Sequence, residues 1–144
     1  MNKMIGTFFL VFATLCFSNA ETGELIIDAI KNGDISKLRL ATFDSGNINS
    51  FDSAGMGYIH YAAMYGGQRE LDLLLKKGAN INLQSRTKKR TPLQMALING
   101  NMESAKYLIN KGCDVNAKSN DGATAVLIAA QNNQIDVMKW LIDK

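Results

Sequence analysis

The sequence is poor in the residues from which most chemistry is built. One His, two Cys, one Pro and one Trp occur in 144 residues. A single imidazole excludes a His-rich metal centre, and two thiols are too few for a four-Cys zinc site or a disulfide framework. Neither sign of charge dominates. The 16 Lys and Arg oppose 13 Asp and Glu, a formal +3, so no basic or acidic tail dictates binding to nucleic acid or a membrane surface. There is no Gly-rich phosphate loop, Gly-x-Ser-x-Gly elbow or His-Glu-x-x-His segment. With 47% apolar and 8% aromatic residues, the chain has the composition of one ordinary globular domain.

The first twenty residues differ from the rest. Lys3 precedes an uncharged run of apolar and small residues from Met4 to Phe17. Ser18-Asn19-Ala20 then puts small residues at −3 and −1 before Glu21. This three-part pattern predicts a secretory signal peptide over 1–20, cleaved after Ala20, and a mature chain of 21–144 in the periplasm or outside the cell. The run is shorter than the roughly 20 residues a spanning helix needs, so no membrane span is expected after cleavage. Leu15 before Cys16 is too bulky for a lipid-attachment site. Cys113 then stands alone, with no thiol to pair with in the same chain. No Asn-x-Ser/Thr sequon occurs, which fits a bacterial periplasm.

The remainder is periodic. Ala29, Ala62, Ala96 and Ala129 are spaced 33, 34 and 33. Ile26, Ile59, Leu93 and Val126 keep that spacing, as do Gly33, Gly66, Gly100 and Asn133, and Leu40, Leu73, Tyr107 and Trp140. Asn49, Asn82 and Asn116 repeat at 33 and 34, which puts one extra residue between Asn82 and Thr91. Such a period marks stacked units, each burying its apolar face only against its neighbours. Each period reads as two short helices. Thr91-Pro92 opens one, with Thr as cap and Pro at the first helical position, and Thr124 repeats the cap. The Gly column, with Asn133 as fourth member, suits a positive-φ turn between the helices. Apolar spacing of three and four marks the second helices, as in Met102, Ala105, Leu108 and Ile109, and again in Ile135, Met138, Leu141 and Ile142. Polar segments at 49–57, 82–91 and 116–124 read as hairpin-like connectors.

Thr91-Pro92-Leu93-Gln94-Met95-Ala96, Lys77-Gly78-Ala79-Asn80-Ile81-Asn82 and Lys111-Gly112-Cys113-Asp114-Val115-Asn116 carry a resemblance to the ankyrin repeat, and Ile59-His60-Tyr61-Ala62-Ala63 adds to it. The resemblance implies an all-α solenoid of about four helix-turn-helix repeats, near 22–49, 50–82, 83–116 and 117–144, joined by short β-hairpin connectors. Repeat one lacks a leading hairpin and carries Lys31, Lys37 and Arg39, as a polar cap does. Repeat two has Gly57-Tyr58 where the family has Thr-Pro, so its first helix should start less firmly.

His60 with Cys113 would suit a base and a nucleophile. The resemblance instead gives His60 a structural part, tying neighbouring loops, and makes Cys113 a small buried residue matching Ala79. No catalytic residue, cofactor or metal is therefore expected, and no enzyme. Family grooves bind partners through the hairpin tips and the exposed side of the first helices. Carried over, those positions include Phe51, Met56, Met64, Tyr65, Ile98 and Asn99, several of them large and apolar where water is expected. The alternative is that some turn inward to fill the space beside Gly57-Tyr58. Arg86-Thr87-Lys88-Lys89-Arg90 holds the extra residue, and four of its five residues are basic. It is either a solvated loop or, through Lys88, Lys89 and Arg90, a contact for an acidic protein surface or anionic lipid.

The reading is a monomeric, exported, non-catalytic module that binds a protein partner with an acidic surface and no nucleic acid. Alternatives are an immunity or inhibitor protein against an exported toxin or enzyme, an accessory helper of a periplasmic enzyme such as a haem enzyme, and a secreted effector.

Overall fold

The computed structural model describes residues 19–41 and 47–143. The leader expected over 1–20, Cys16 included, lies outside them except for Asn19 and Ala20. Eight helices and no strand occur among the described residues. They run in pairs: α1 (Asn19–Lys31) with α2 (Ile35–Leu40), α3 (Tyr58–Tyr65) with α4 (Gln68–Lys76), α5 (Pro92–Ile98) with α6 (Met102–Asn110), and α7 (Ala125–Gln131) with α8 (Ile135–Ile142). First helices stack on first helices from α1 to α7, and second helices on second helices from α2 to α8. This is the expected solenoid.

The helix starts follow the local chemistry. Thr91 Oγ1 accepts from Gln94 N–H at 3.3 Å while Gln94 Oε1 accepts from Thr91 N–H at 3.0 Å, a reciprocal cap with Pro92 behind it. Thr124 caps Leu127 N–H at 3.4 Å. Gly57 offers no side chain, and His60 Nδ1 accepts its N–H at 3.0 Å instead. The connectors are hairpin-shaped, but each closes on too few bonds to form a ladder. Asp52 N–H donates to Met56 O and Ser119 N–H to Ala123 O, both at 3.0 Å, around Gly55 and Gly122 at positive φ. In the connector with the extra residue, Ser85 N–H donates to Arg90 O at 2.9 Å and Lys89 takes the left-handed place at φ 53°. That conformation costs a non-glycine residue about 1 kcal/mol.

The glycine column needs correction at one member. Gly33, Gly100 and Asn133 have φ of 66°, 73° and 55°, as a left-handed turn requires. Gly66 has φ −85°, which any residue adopts. Its lack of a side chain serves close packing instead: a Cβ there would lie 2.9 Å from Ala62 O and 3.1 Å from Glu70 Cβ. The repeated alanines are all buried, and so are Ile26, Ile59 and Leu93. Leu40, in another apolar column, stands 81% exposed at the end of the short α2.

Polar hooks join one repeat to the next. His60 is fully buried, and because its Nδ1 accepts from Gly57 N–H, its proton sits on Nε2. That proton faces Leu83 O at 2.9 Å and Arg90 O at 3.1 Å, both in the following connector. Gln94 stands 34 positions later and does the same, its Nε2 donating to Ala117 O and Ala123 O at 2.9 Å each. Asn49 Oδ1 accepts from Asn80 N–H at 2.7 Å and Asn82 Oδ1 from Asp114 N–H at 2.8 Å. The structural part expected of His60 is therefore observed.

Burial lowers His60 from its ordinary 6.5, and a proton on Nδ1 would also oppose the Gly57 N–H. With the folded value depressed, His60's contribution to stability is complete above pH 6.5 and is lost as pH falls through the folded value. Stability of the wild type against denaturant should therefore fall as pH drops below 6.5. His60→Gln, which copies Gln94, should remove that dependence. An unchanged slope in the variant would contradict this.

Candidate functional site

The candidate surface takes in the connector tips and the C-terminal ends of the first helices. Backbone bonds tie the tips into a row. Arg86 N–H donates to Gly55 O at 2.8 Å, and Asn120 N–H donates to Lys88 O at 2.9 Å. Asn120 Nδ2 reaches Thr87 O at 3.0 Å, and Gln84 Nε2 reaches Lys118 O at 3.2 Å. The basic segment 86–90 is thus pinned from both sides. Its backbone is held in place, with no loop to be ordered on binding.

The nine residues expected at the interface divide. Lys88 and Lys89 are exposed, and neither forms an ion pair among the described residues. Arg90 is different. Its guanidinium Nη2 lies 3.4 Å from Asp121 Oδ2, and its Nε is buried without a partner. The Ser119 hydroxyl and the Ala123 N–H, more than Arg90, hold the Asp121 carboxyl below the usual range. Arg90 therefore joins two connectors and gives little to the outward field. Arg86, in the same run, places its guanidinium 4.8 Å from the centre of the Phe51 ring, a cation–π contact that fixes both side chains. Met56 packs partly buried against the core, the inward course the sequence left open.

The second group lies at the ends of α3 and α5. Tyr65 is 48% exposed and Ile98 41% exposed, while Met64 is half-buried. Asn99 is exposed, but its Nδ2 donates to Met64 O at 2.6 Å, so it also holds the two repeats together. Tyr65 stacks on Tyr61 with ring centres 6.5 Å apart, and the Lys31 ammonium lies 5.5 and 5.8 Å from the two rings. Tyr61 in turn donates its hydroxyl to Asp52. Burial first, then that carboxylate, pushes the Tyr61 hydroxyl well above its ordinary value. This chain of contacts holds Tyr65 as a rigid, half-wet aromatic shelf, the kind of side chain that anchors protein interfaces. Tyr61 and Asp52 were not among the expected site residues. The i,i+4 spacing of Tyr61 and Tyr65 on one helix was the available sign.

Cys113 is buried like Ala79, both 8% exposed. Burial, aided by Asp114, pushes its thiol up to about 11, which disfavours the nucleophilic thiolate. Among the described residues no group of three or more His, Cys, Asp or Glu is placed to hold a metal, and no helix is long and apolar enough to cross a membrane.

The sequence pattern of Ankyrin repeats (3 copies) matches residues 59–144. The Ankyrin repeat and KH domain-containing protein mask-1 of Caenorhabditis elegans is 38% identical over 73 residues, 51% of this chain and 3% of that protein. Putative ankyrin repeat protein FPV219 of Fowlpox virus is 34% identical over 120 residues, 83% of this chain and 27% of its own length. Protein phosphatase 1 regulatory subunit 27 of Mus musculus is 31% identical over 99 residues, 68% of this chain and 64% of its own. The chain thus spans less than two thirds of each of these relatives.

Proposed function

This chain belongs to the ankyrin-repeat family, and on that premise we propose that it is an exported, non-catalytic module gripping an acidic protein partner along its tips and first helices. Ankyrin repeats are in general protein–protein interaction modules, and stacked repeats offer extended concave surfaces for the purpose. The observation that carries the reading is the pinned basic segment, on the same run of connectors and first helices as the aromatic shelf. Lys88 and Lys89 would steer an acidic surface, and Tyr65 with Ile98 would be covered on contact. A solvated loop would need none of the bonds that hold 86–90. The two residues that suggested catalysis, His60 and Cys113, serve packing and repeat joining, which supports a binding role. Export rests on the leader pattern of 1–20, and mass spectrometry of the released protein should find Glu21 at its start.

The partner is to be isolated with tagged protein from its own envelope or extracellular fraction and then titrated as a purified protein. Tyr65→Ala should weaken binding by about 2 kcal/mol, roughly 30-fold, with little change in melting temperature. Unchanged affinity would remove the shelf from the interface.

A further inference from the structure

The net charge of the chain is gathered on its connectors. Segments 50–57, 83–91 and 117–124 hold five of the 16 Lys and Arg and two of the 13 Asp and Glu, which leaves eleven of each elsewhere. The whole formal +3 therefore belongs to the connectors. Their two carboxylates are already engaged. Asp52 accepts from Ala54 and Met56 N–H and from the Tyr61 hydroxyl, and Asp121 accepts from the Ser119 hydroxyl and the Arg90 guanidinium. Arg86, Lys88, Lys89 and Lys118 are exposed, and none of them has an acidic partner among the described residues. The bonds from Arg86 N–H to Gly55 O and from Asn120 N–H to Lys88 O keep the three tips in one row. Among the described residues, no large apolar side chain stands exposed in that row. Phe51 is half-buried against the Arg86 guanidinium, and Met56 packs on the core.

We propose that the row of tips holds the chain on an anionic lipid surface. A protein interface is built round an apolar centre with charge at its rim, and the row has no such centre. A sheet of anionic headgroups asks only for positive charge near its surface. Lysine, a compact point charge on a flexible stem, meets that demand without bidentate geometry. Three of the four exposed cations of the row are lysines. Because positive and negative residues balance outside the connectors, attraction acts on the tips and turns them toward the surface. Tyr65 and Ile98 stand at the opposite ends of α3 and α5, about 10 Å away at the helical rise per residue, so a surface that touches the tips leaves the shelf open. This attachment does not rest on the existence of a protein partner.

Cosedimentation of the full chain with vesicles of phosphatidylcholine and phosphatidylglycerol tests this. Pure phosphatidylcholine gives the baseline, which includes any uptake of the apolar run 4–17. Binding above it should rise with the phosphatidylglycerol fraction and fall steeply with added salt. Lys88→Glu/Lys89→Glu should lower that excess at least tenfold. Lys106→Glu/Lys139→Glu changes the net charge equally, on the second helices, and should lower it much less. All four lysines are exposed, so both variants should keep the helical circular dichroism. No excess on phosphatidylglycerol would overturn the proposal. Equal losses in the two variants would also overturn it, since net charge alone would then govern binding. So would tighter binding to soluble polyglutamate than to the vesicles, which would make an acidic polypeptide the better occupant of the tips.

Discussion

Replacing Gln94 with Leu should cost the chain about 3 kcal/mol of stability. The fold already shows Leu at the equivalent place of the fourth repeat, Leu127, which stands 51% exposed. At position 94 the side chain is 1% exposed and joins three backbone groups: it accepts from Thr91 N–H and donates to Ala117 O and Ala123 O. Ala123 O keeps its bonds from Ser119. Thr91 N–H and Ala117 O would lose theirs in a buried seam, at about 1–3 kcal/mol for each unsatisfied group. Urea unfolding should show the loss, and hydrogen exchange should show it concentrated in 117–131. A loss under about 1 kcal/mol would mean that the hook is replaceable by water.

Gly66→Ala should cost about 2 kcal/mol, more than Gly112→Ala, although only Gly112 has a left-handed backbone. At Gly112 the added Cβ meets nothing within 4 Å, and the cost is the strain of φ 79°, about 1 kcal/mol. At Gly66 the Cβ would press on Ala62 O, a backbone atom that can yield only by moving α3 away from α4. Overpacking of that kind costs about 1–3 kcal/mol. Equal or reversed costs in denaturant unfolding would show that α4 shifts freely.

These two positions also mark where the sequence is legible. The 33-residue spacing gives helix pairing, stacking order and the buried alanines, because each repeat meets the same neighbours and its core columns must recur. Thr91-Pro92 places the start of α5 to the residue. The spacing is silent about why a glycine recurs. Gly100 serves a turn and Gly66 a close approach, and only three-dimensional distances separate them. Nor does it reveal that His60 and Gln94 are one device, since a ring and an amide share their hydrogen bonds but not their letters.

The candidate surface was legible as a set of positions but not as a division of labour. Arg90 and Lys89 are neighbours in one basic run, yet Arg90 turns to Asp121, 31 positions on, and Lys89 turns to water. Met56 reads as exposed from its repeat position. It turns inward because Asp52 closes the connector over it, accepting from Ala54 and Met56 N–H at 2.9 Å each.

The central claim is that the pinned basic segment and the aromatic shelf form one partner-binding surface. The association rate of the isolated partner, measured by stopped flow across ionic strength, tests it most directly. The wild type should associate faster at low salt, and Lys88→Glu/Lys89→Glu should slow association about tenfold or more and flatten the salt dependence. A rate indifferent both to salt and to that reversal would contradict the account.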